Sequence, residues 1–238
     1  MHPPLEQHFQ AKCTPPKNIT ACENSVSFSN RIKSLSKVLS EAYSLKFLFP
    51  NAPFLLTPPQ NKVPDEEKQY SWFDSDVDEK VKKRLAQERG EYKGFQTTQT
   101  SFESFLSHHD NVVAIFAFSQ GAVAATLFLI QAYDKKLKVD LLKNLKCCIL
   151  LGGSGTPIPT NSELTNVVEY AEGRKKISIP VMFVKGKNDD IVTREQAESL
   201  HKYFKNYQLW EHNGKHEIPK KKEDILKYMT FLDIHLKK

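Results

Sequence analysis

No apolar run in this 238-residue chain approaches the roughly 18 residues a membrane-spanning helix needs. The N-terminal segment MHPPLEQHFQAKCTPPKN likewise lacks the apolar centre of a secretory signal. Both absences lead us to expect a soluble protein of the cytoplasm or nucleus, with no integral membrane association. Cysteine is sparse. Cys13, Cys22, Cys147 and Cys148 show neither C-x-x-C spacing nor a dense framework, so zinc fingers and disulfide scaffolds are excluded as organising devices and a reducing compartment fits. Cys147 and Cys148 are adjacent in the run KCCILLGG, where neighbouring strand residues face opposite sides, which makes them poor disulfide partners and good core residues. A long basic tract is missing too. The net charge is +6 and the pI about 9.0, but the lysines are scattered, with short runs only at 220–222 and 237–238. They read as solvated surface, and no nucleic-acid partner is expected. There are no internal repeats.

What is present suffices for one sizeable domain, since 39% of the residues are hydrophobic. Residues 1–24 are polar and proline-bearing and read as a poorly ordered or divergent N-terminus, leaving 25–238 as the folded domain. From Ser27, a plausible helix cap, Phe28, Ile32, Leu35, Leu39 and Ala42 recur at helical spacing. LKFLF, Leu45–Phe49, reads as a strand stopped by Pro50. The proline-bearing stretch 51–69 reads as a long loop, and a loop of that length in a compact domain is a candidate lid. Trp72 and Phe73 follow in a polar setting, as a satellite apolar cluster or as a wall of a substrate pocket. Phe54, Leu55, Leu56 and Phe128 join Trp72 as candidates for an apolar acyl site, unless they simply pack the core. Residues 74–91 are charged and solvated, and Phe95, Phe102, Phe105 and Leu106 mark a helix closed by His108 and His109.

The chain is organised around residues 112–132. VVAIF, AFSQG and AVAATLFLIQA read in turn as buried strand, tight turn and buried helix, with Ser119 at the tip. A serine on a strained strand-to-helix turn needs small residues two positions before and after it; here they are Ala117 and Gly121. The helix start faces the serine with its positive end, and the backbone N–H of Gln120 is the candidate oxyanion donor. Beyond it come the strand CCILLGG, a polar stretch 154–176, the strand Ile179–Gly186, a helix over 194–204, the strand Tyr207–Trp210 and a last helix over 223–236. Alternating strands and helices predict an α/β fold, a mostly parallel sheet covered on both faces.

Three predicted strand ends carry reactive groups: Ser119, then Asp189 or Asp190, then His212 or His216. Serine, acid, histidine is the chain order of α/β-hydrolases. A hydroxyl becomes a nucleophile when an imidazole takes its proton, and a carboxylate fixes the tautomer of that imidazole. Asp189 is favoured because Ile191 and Val192 pin its loop, and His216 because it stands before Ile218, Pro219 and the last helix.

FSQGA at 118–122, GKNDDIV at 186–192 and HNGKHEIP at 212–219 resemble the three signature segments of the FSH family of serine hydrolases. Asn51–Pro53, Trp72 with Phe73, and Tyr92–Phe95 match its intervening landmarks, so the resemblance covers about residues 23–236. It implies an α/β-hydrolase fold, with Ser119 as nucleophile, Asp189 as acid and His216 as base. It also implies hydrolysis of a small-molecule carboxylic ester or thioester through an acyl-enzyme, with no metal or organic cofactor. Three departures stand out. Ala117 and Lys215 replace glycines of the pattern, and no His-Gly-bearing first strand is legible, ITAC at 19–22 being the sole candidate. That strand carries the second oxyanion donor, whose loss costs about a hundred- to a thousandfold in rate. The N-terminal central strand is thus expected to be missing or divergent, as in an alternative or incomplete gene product. The second reading that follows is a hydrolase-like binding protein without turnover.

Overall fold

The structure, a computed structural model, describes residues 8–11, 22–56, 64, 68–75, 89–90, 92–109, 111–155, 158–159 and 164–236. Its centre is a five-stranded sheet of β1 (His8–Ala11), β2 (Ala114–Phe118), β3 (Cys147–Leu151), β4 (Val181–Gly186) and β5 (Tyr207–His212), neighbours in that order. Every pairing is parallel. The strands β2, β3 and β4 are buried along their whole length and apolar but for Lys185 near the end of β4, as a parallel sheet covered on both faces demands.

Period-two alternation sorts these strands into two cores. Ile115, Ala117, Cys148, Leu150, Val181 and Phe183 face one cluster. It is completed by α3 (Phe95–Ser107), α4 (Gln120–Tyr133), α5 (Val167–Ala171) and α6 (Arg194–His201). Ala114, Phe116, Phe118, Cys147, Ile149, Leu151, Met182 and Val184 face the other. That side is closed by α1 (Ser25–Arg31), α2 (Lys33–Tyr43) and α7 (Lys222–Leu236). Cys147 and Cys148 therefore point to opposite faces and stay free thiols, and burial pushes the Cys147 thiol up to about 12. The helix α4 is buried from Gln120 to Ala132. It lies against the sheet on one side and the outer helices on the other, so its sequence shows no polar stripe.

Several expectations change. The first strand exists in divergent form: HFQA pairs with β2 from His8 opposite Ala114 to Ala11 opposite Ala117. Of the two expectations for this strand, missing or divergent, it is the divergent one that the pairing shows at those four positions. The segment is too short and polar for its own pattern to reveal it, and the ladder comes from β2. ITAC does not take that place: Cys22–Glu23 pairs antiparallel with Gln69–Tyr70 outside the central sheet, and residues 19–21 lie outside the described residues. Leu45–Phe49 forms no strand. Leu45 and Leu48 are buried and Phe47 and Phe49 stack at 6.2 Å, so the segment's apolar content serves packing instead of a ladder. The first helix is capped by Asn24, whose Oδ1 accepts from Ser27 N–H at 2.8 Å, and it breaks at Ile32 into α1 and α2. The ends of the expected lid are antiparallel partners, Phe54 opposite Ser71 and Leu55 opposite Tyr70. Residues 57–63 and 65–67 between them, like Cys13 and 76–88, lie outside the described residues. Among the described residues no helix is long and apolar enough to cross a membrane.

Candidate active site

At the end of β2 the chain turns sharply at Ser119, where φ is 55° and ψ −127°. A non-glycine residue in this region costs about 1–3 kcal/mol and persists only where its surroundings over-determine it. Here they do. Ser119 N–H donates to Leu151 O at 2.8 Å, extending the β2–β3 ladder through the serine, while Ser119 O accepts from Ala122 N–H at 2.9 Å and starts α4. Ala117 is wholly buried and Gly121 lies inside the helix, so the extra methyl at 117 is absorbed by the core.

Gln120 opens α4 and its side chain reaches back across the molecule. Its Oε1 accepts from Trp72 N–H at 2.9 Å and its Nε2 donates to Phe73 O at 2.9 Å. Trp72 O also accepts from Thr98 Oγ1 of α3. Trp72 and Phe73 themselves are 2% and 4% exposed in the main core, Trp72 tilted against Phe102 at 4.5 Å and Phe73 edge-on to Tyr92 at 4.9 Å. Both rings belong to the packed core cluster on that face of the sheet. Its link to the serine turn runs through its backbone. Phe128 is core as well, 5.0 Å from Phe102, whereas Leu55 and Leu56 are exposed.

The remaining two groups come from the ends of β4 and β5. His216 Nε2 lies 3.0 Å from Ser119 Oγ, and His216 Nδ1 lies 2.8 Å from Asp189 Oδ2. With Asp189 accepting, Nδ1 carries the proton and Nε2 is the acceptor facing the serine hydroxyl. The side chains of His216 and Asp189 are 2% and 1% exposed, so this chain of hydrogen bonds is shielded from water. Burial by itself would raise the Asp189 carboxyl. Hydrogen bonds from His216 and from the Val192 and Ile191 N–H groups, each at 2.9 Å in the backbone cases, hold it below the ordinary carboxylate range. Asp190 instead points outward, its Oδ2 3.8 Å from exposed Lys215, and His212 ends β5 with its Nδ1 accepting from Gly214 N–H. The lysine that replaces a glycine before His216 is thus accommodated by solvent.

Sequence reasoning passed over Gly152, just beyond β3. Its φ is +53°, and a Cβ there would lie 3.0 Å from His216 Cε1 and 3.2 Å from Phe118 Cε2. The ring of Phe118, 4.8 Å from that of His216, packs the other flank. The residues in KCCILLGG that signal a strand carry this clearance at their end, and only the doubled glycine hinted at it. Among the described residues no group of His, Cys, Asp and Glu is arranged to hold a metal ion. Residues 12–21, which follow β1 in the chain and where a second oxyanion donor is expected, lie outside the described residues.

Comparisons with known proteins place the chain among serine hydrolases by family. A family model described as "Serine hydrolase (FSH1)" matches residues 21–228. An esterase of Drosophila melanogaster is 26% identical over 214 residues, covering 90% of this chain and 71% of its own length. One from Drosophila pseudoobscura pseudoobscura is 25% identical over 209 residues, 88% and 67% respectively. Among solved structures, esterase PE8 superposes with a TM-score of 0.60 at 18% identity, over 97% of this chain and 93% of that one. Acyl-protein thioesterase 2 of Zea mays gives 0.53 at 16% identity, over 99% and 97%. These likenesses identify the fold as that of the α/β-hydrolases.

Proposed function

We propose, from the premise that this chain belongs to the serine hydrolase (FSH1) family, that it hydrolyses a carboxylic ester or thioester through an acyl-enzyme on Ser119. The observation that carries this reading is the continuous Ser119–His216–Asp189 hydrogen-bond chain at 3.0 and 2.8 Å.

In the first half-reaction Ser119 Oγ adds to the substrate carbonyl carbon while His216 Nε2 takes the hydroxyl proton. Asp189 stabilises the imidazolium so formed, and the negative charge on the carbonyl oxygen faces the Gln120 N–H at the positive end of α4. Collapse of the adduct breaks the bond to the alcohol or thiol, which leaves with the proton from His216. Water then repeats the sequence on the acyl-serine and releases the carboxylic acid. Strain at Ser119 supports the role, because it presents Oγ at the turn's tip instead of in the strand. No organic cofactor or metal is assigned a part. The intact relay favours turnover over the alternative of a non-catalytic acyl-binding protein.

Treatment with a fluorophosphonate tests the proposal: the parent labels on Ser119 and hydrolyses a short p-nitrophenyl ester, and Ser119→Ala does neither. Labelling that persists in Ser119→Ala, or a parent that neither labels nor turns over, overturns it.

A further inference from the structure

His212 is the second histidine of the β5 loop, and the mechanism above leaves it unused. It is 8% exposed, and its Nδ1 accepts from Gly214 N–H at 3.1 Å. Burial holds its imidazole below the ordinary histidine range, against the pull of Glu217 on its own loop, Asp224 on α7 and Asp189 across the site. At neutral pH the ring is therefore uncharged, and the lone pair on Nδ1 is available to that N–H.

The turn fixed in this way sends three consecutive carbonyls across to the acid-bearing loop. His212 O accepts from Lys187 N–H at 2.8 Å and Gly214 O from Asn188 N–H at 3.1 Å. Asn213 O accepts from the Asn188 side-chain Nδ2 at 2.8 Å. The approach is so close that a Cβ at Gly186 would run into Lys215 O and come within 2.7 Å of Gly214 O. Asn188 immediately precedes Asp189, and Lys215 immediately precedes His216. The stitches thus join the two loops one residue before Asp189 and two before His216.

We propose that His212 and Asn188 are positioning residues: a neutral imidazole acceptor and a side-chain amide donor clamp the 212–216 turn onto the 186–190 loop, and so hold His216 between Asp189 and Ser119. Neither touches the reacting atoms. The inference rests on the assignment of Ser119, His216 and Asp189 made above.

Asparagine and leucine at 212 separate the acceptor from the bulk. The two side chains are nearly isosteric, and asparagine hydrogen-bonds the backbone two residues on, which is the reach from 212 to 214. With a short p-nitrophenyl ester, His212→Leu lowers kcat by about ten- to a hundredfold with KM nearly unchanged, the size expected for a misplacement on the order of 1 Å. His212→Asn retains at least about a third of the parent kcat, because its side-chain oxygen takes over the acceptor position. Asn188→Ala, at an exposed residue whose loss leaves folding intact, lowers kcat in the same sense and serves if the leucine variant does not fold. A parent that labels with fluorophosphonate on Ser119, together with unchanged kcat in His212→Leu and Asn188→Ala, overturns the clamp alone. Equal losses in His212→Leu and His212→Asn overturn the acceptor role. A parent that does not label overturns the catalytic assignment, and the clamp with it.

Discussion

The nucleophile and its two partners are held by opposite means. Around Ser119 the frame is buried and mostly apolar: β2 and α4 flank the serine directly in sequence and fix it by a ladder bond to β3 on one side and a helix start on the other. Around Asp189 and His216 the backbone is partly exposed, and geometry comes from hydrogen bonds between loops about 27 residues apart. The elbow stores strain and depends on core packing to hold it. The acid and base loops store none at the reactive residues and depend on polar stitching.

The comparison is sharpened first by removing the groups themselves. Ser119→Ala and His216→Ala each lower kcat by on the order of a millionfold, and the double variant is scarcely worse, because members of a relay act as a unit. Steady-state ester hydrolysis measures this; additive losses would separate the two regions functionally. Asp189→Asn leaves the shape but favours the wrong imidazole tautomer, and kcat falls by about ten-thousandfold. The same variant has a pH signature. A carboxyl held below its ordinary value of 3.8 in the folded state contributes stability that is fully present above that value and is lost as pH falls through the depressed one. Urea midpoints measured from pH 7 down to pH 2 therefore drop more steeply in the parent than in Asp189→Asn.

Gly152→Ala attacks the boundary between the regions. It places a methyl against His216 and Phe118 at a left-handed φ. It costs about 1–3 kcal/mol of stability, read as a lower denaturant midpoint, and tenfold or more in kcat by the same displacement argument. The smallest effect is expected at Ala117→Gly, which restores the glycine of the elbow pattern. The buried methyl and the strand's conformational restriction are lost, at about 0.5–1 kcal/mol, while kcat stays within about threefold. A large activity change there would show that the elbow is not governed by packing alone.

Legibility followed the same division. The strand–serine–helix unit was readable because its apolar runs and small flanking residues are consecutive, and Asp189 and His216 emerged over Asp190 and His212 from the apolar residues that pin their loops. Trp72 and Phe73 stood out as aromatic, but not their actual service to the site, which is backbone hydrogen bonding to Gln120. A backbone amide carries no residue signature. Leu45–Phe49 looked like a strand because apolar content does not distinguish a ladder from packing, and His8–Ala11 did not because its pairing is supplied by β2.

By itself, then, the sequence determined the alternation of strands and helices, the buried elbow, and the order serine, acid, histidine, since each is written in neighbouring side chains through hydrophobic period and turn chemistry. Only the tertiary structure brought Asp189 and His216 within hydrogen-bond reach of each other and of the serine, required that Gly152 lack a Cβ, and stitched the two loops through their carbonyls. Those outcomes are distances between residues remote in sequence, and such distances are set when the sheet assembles.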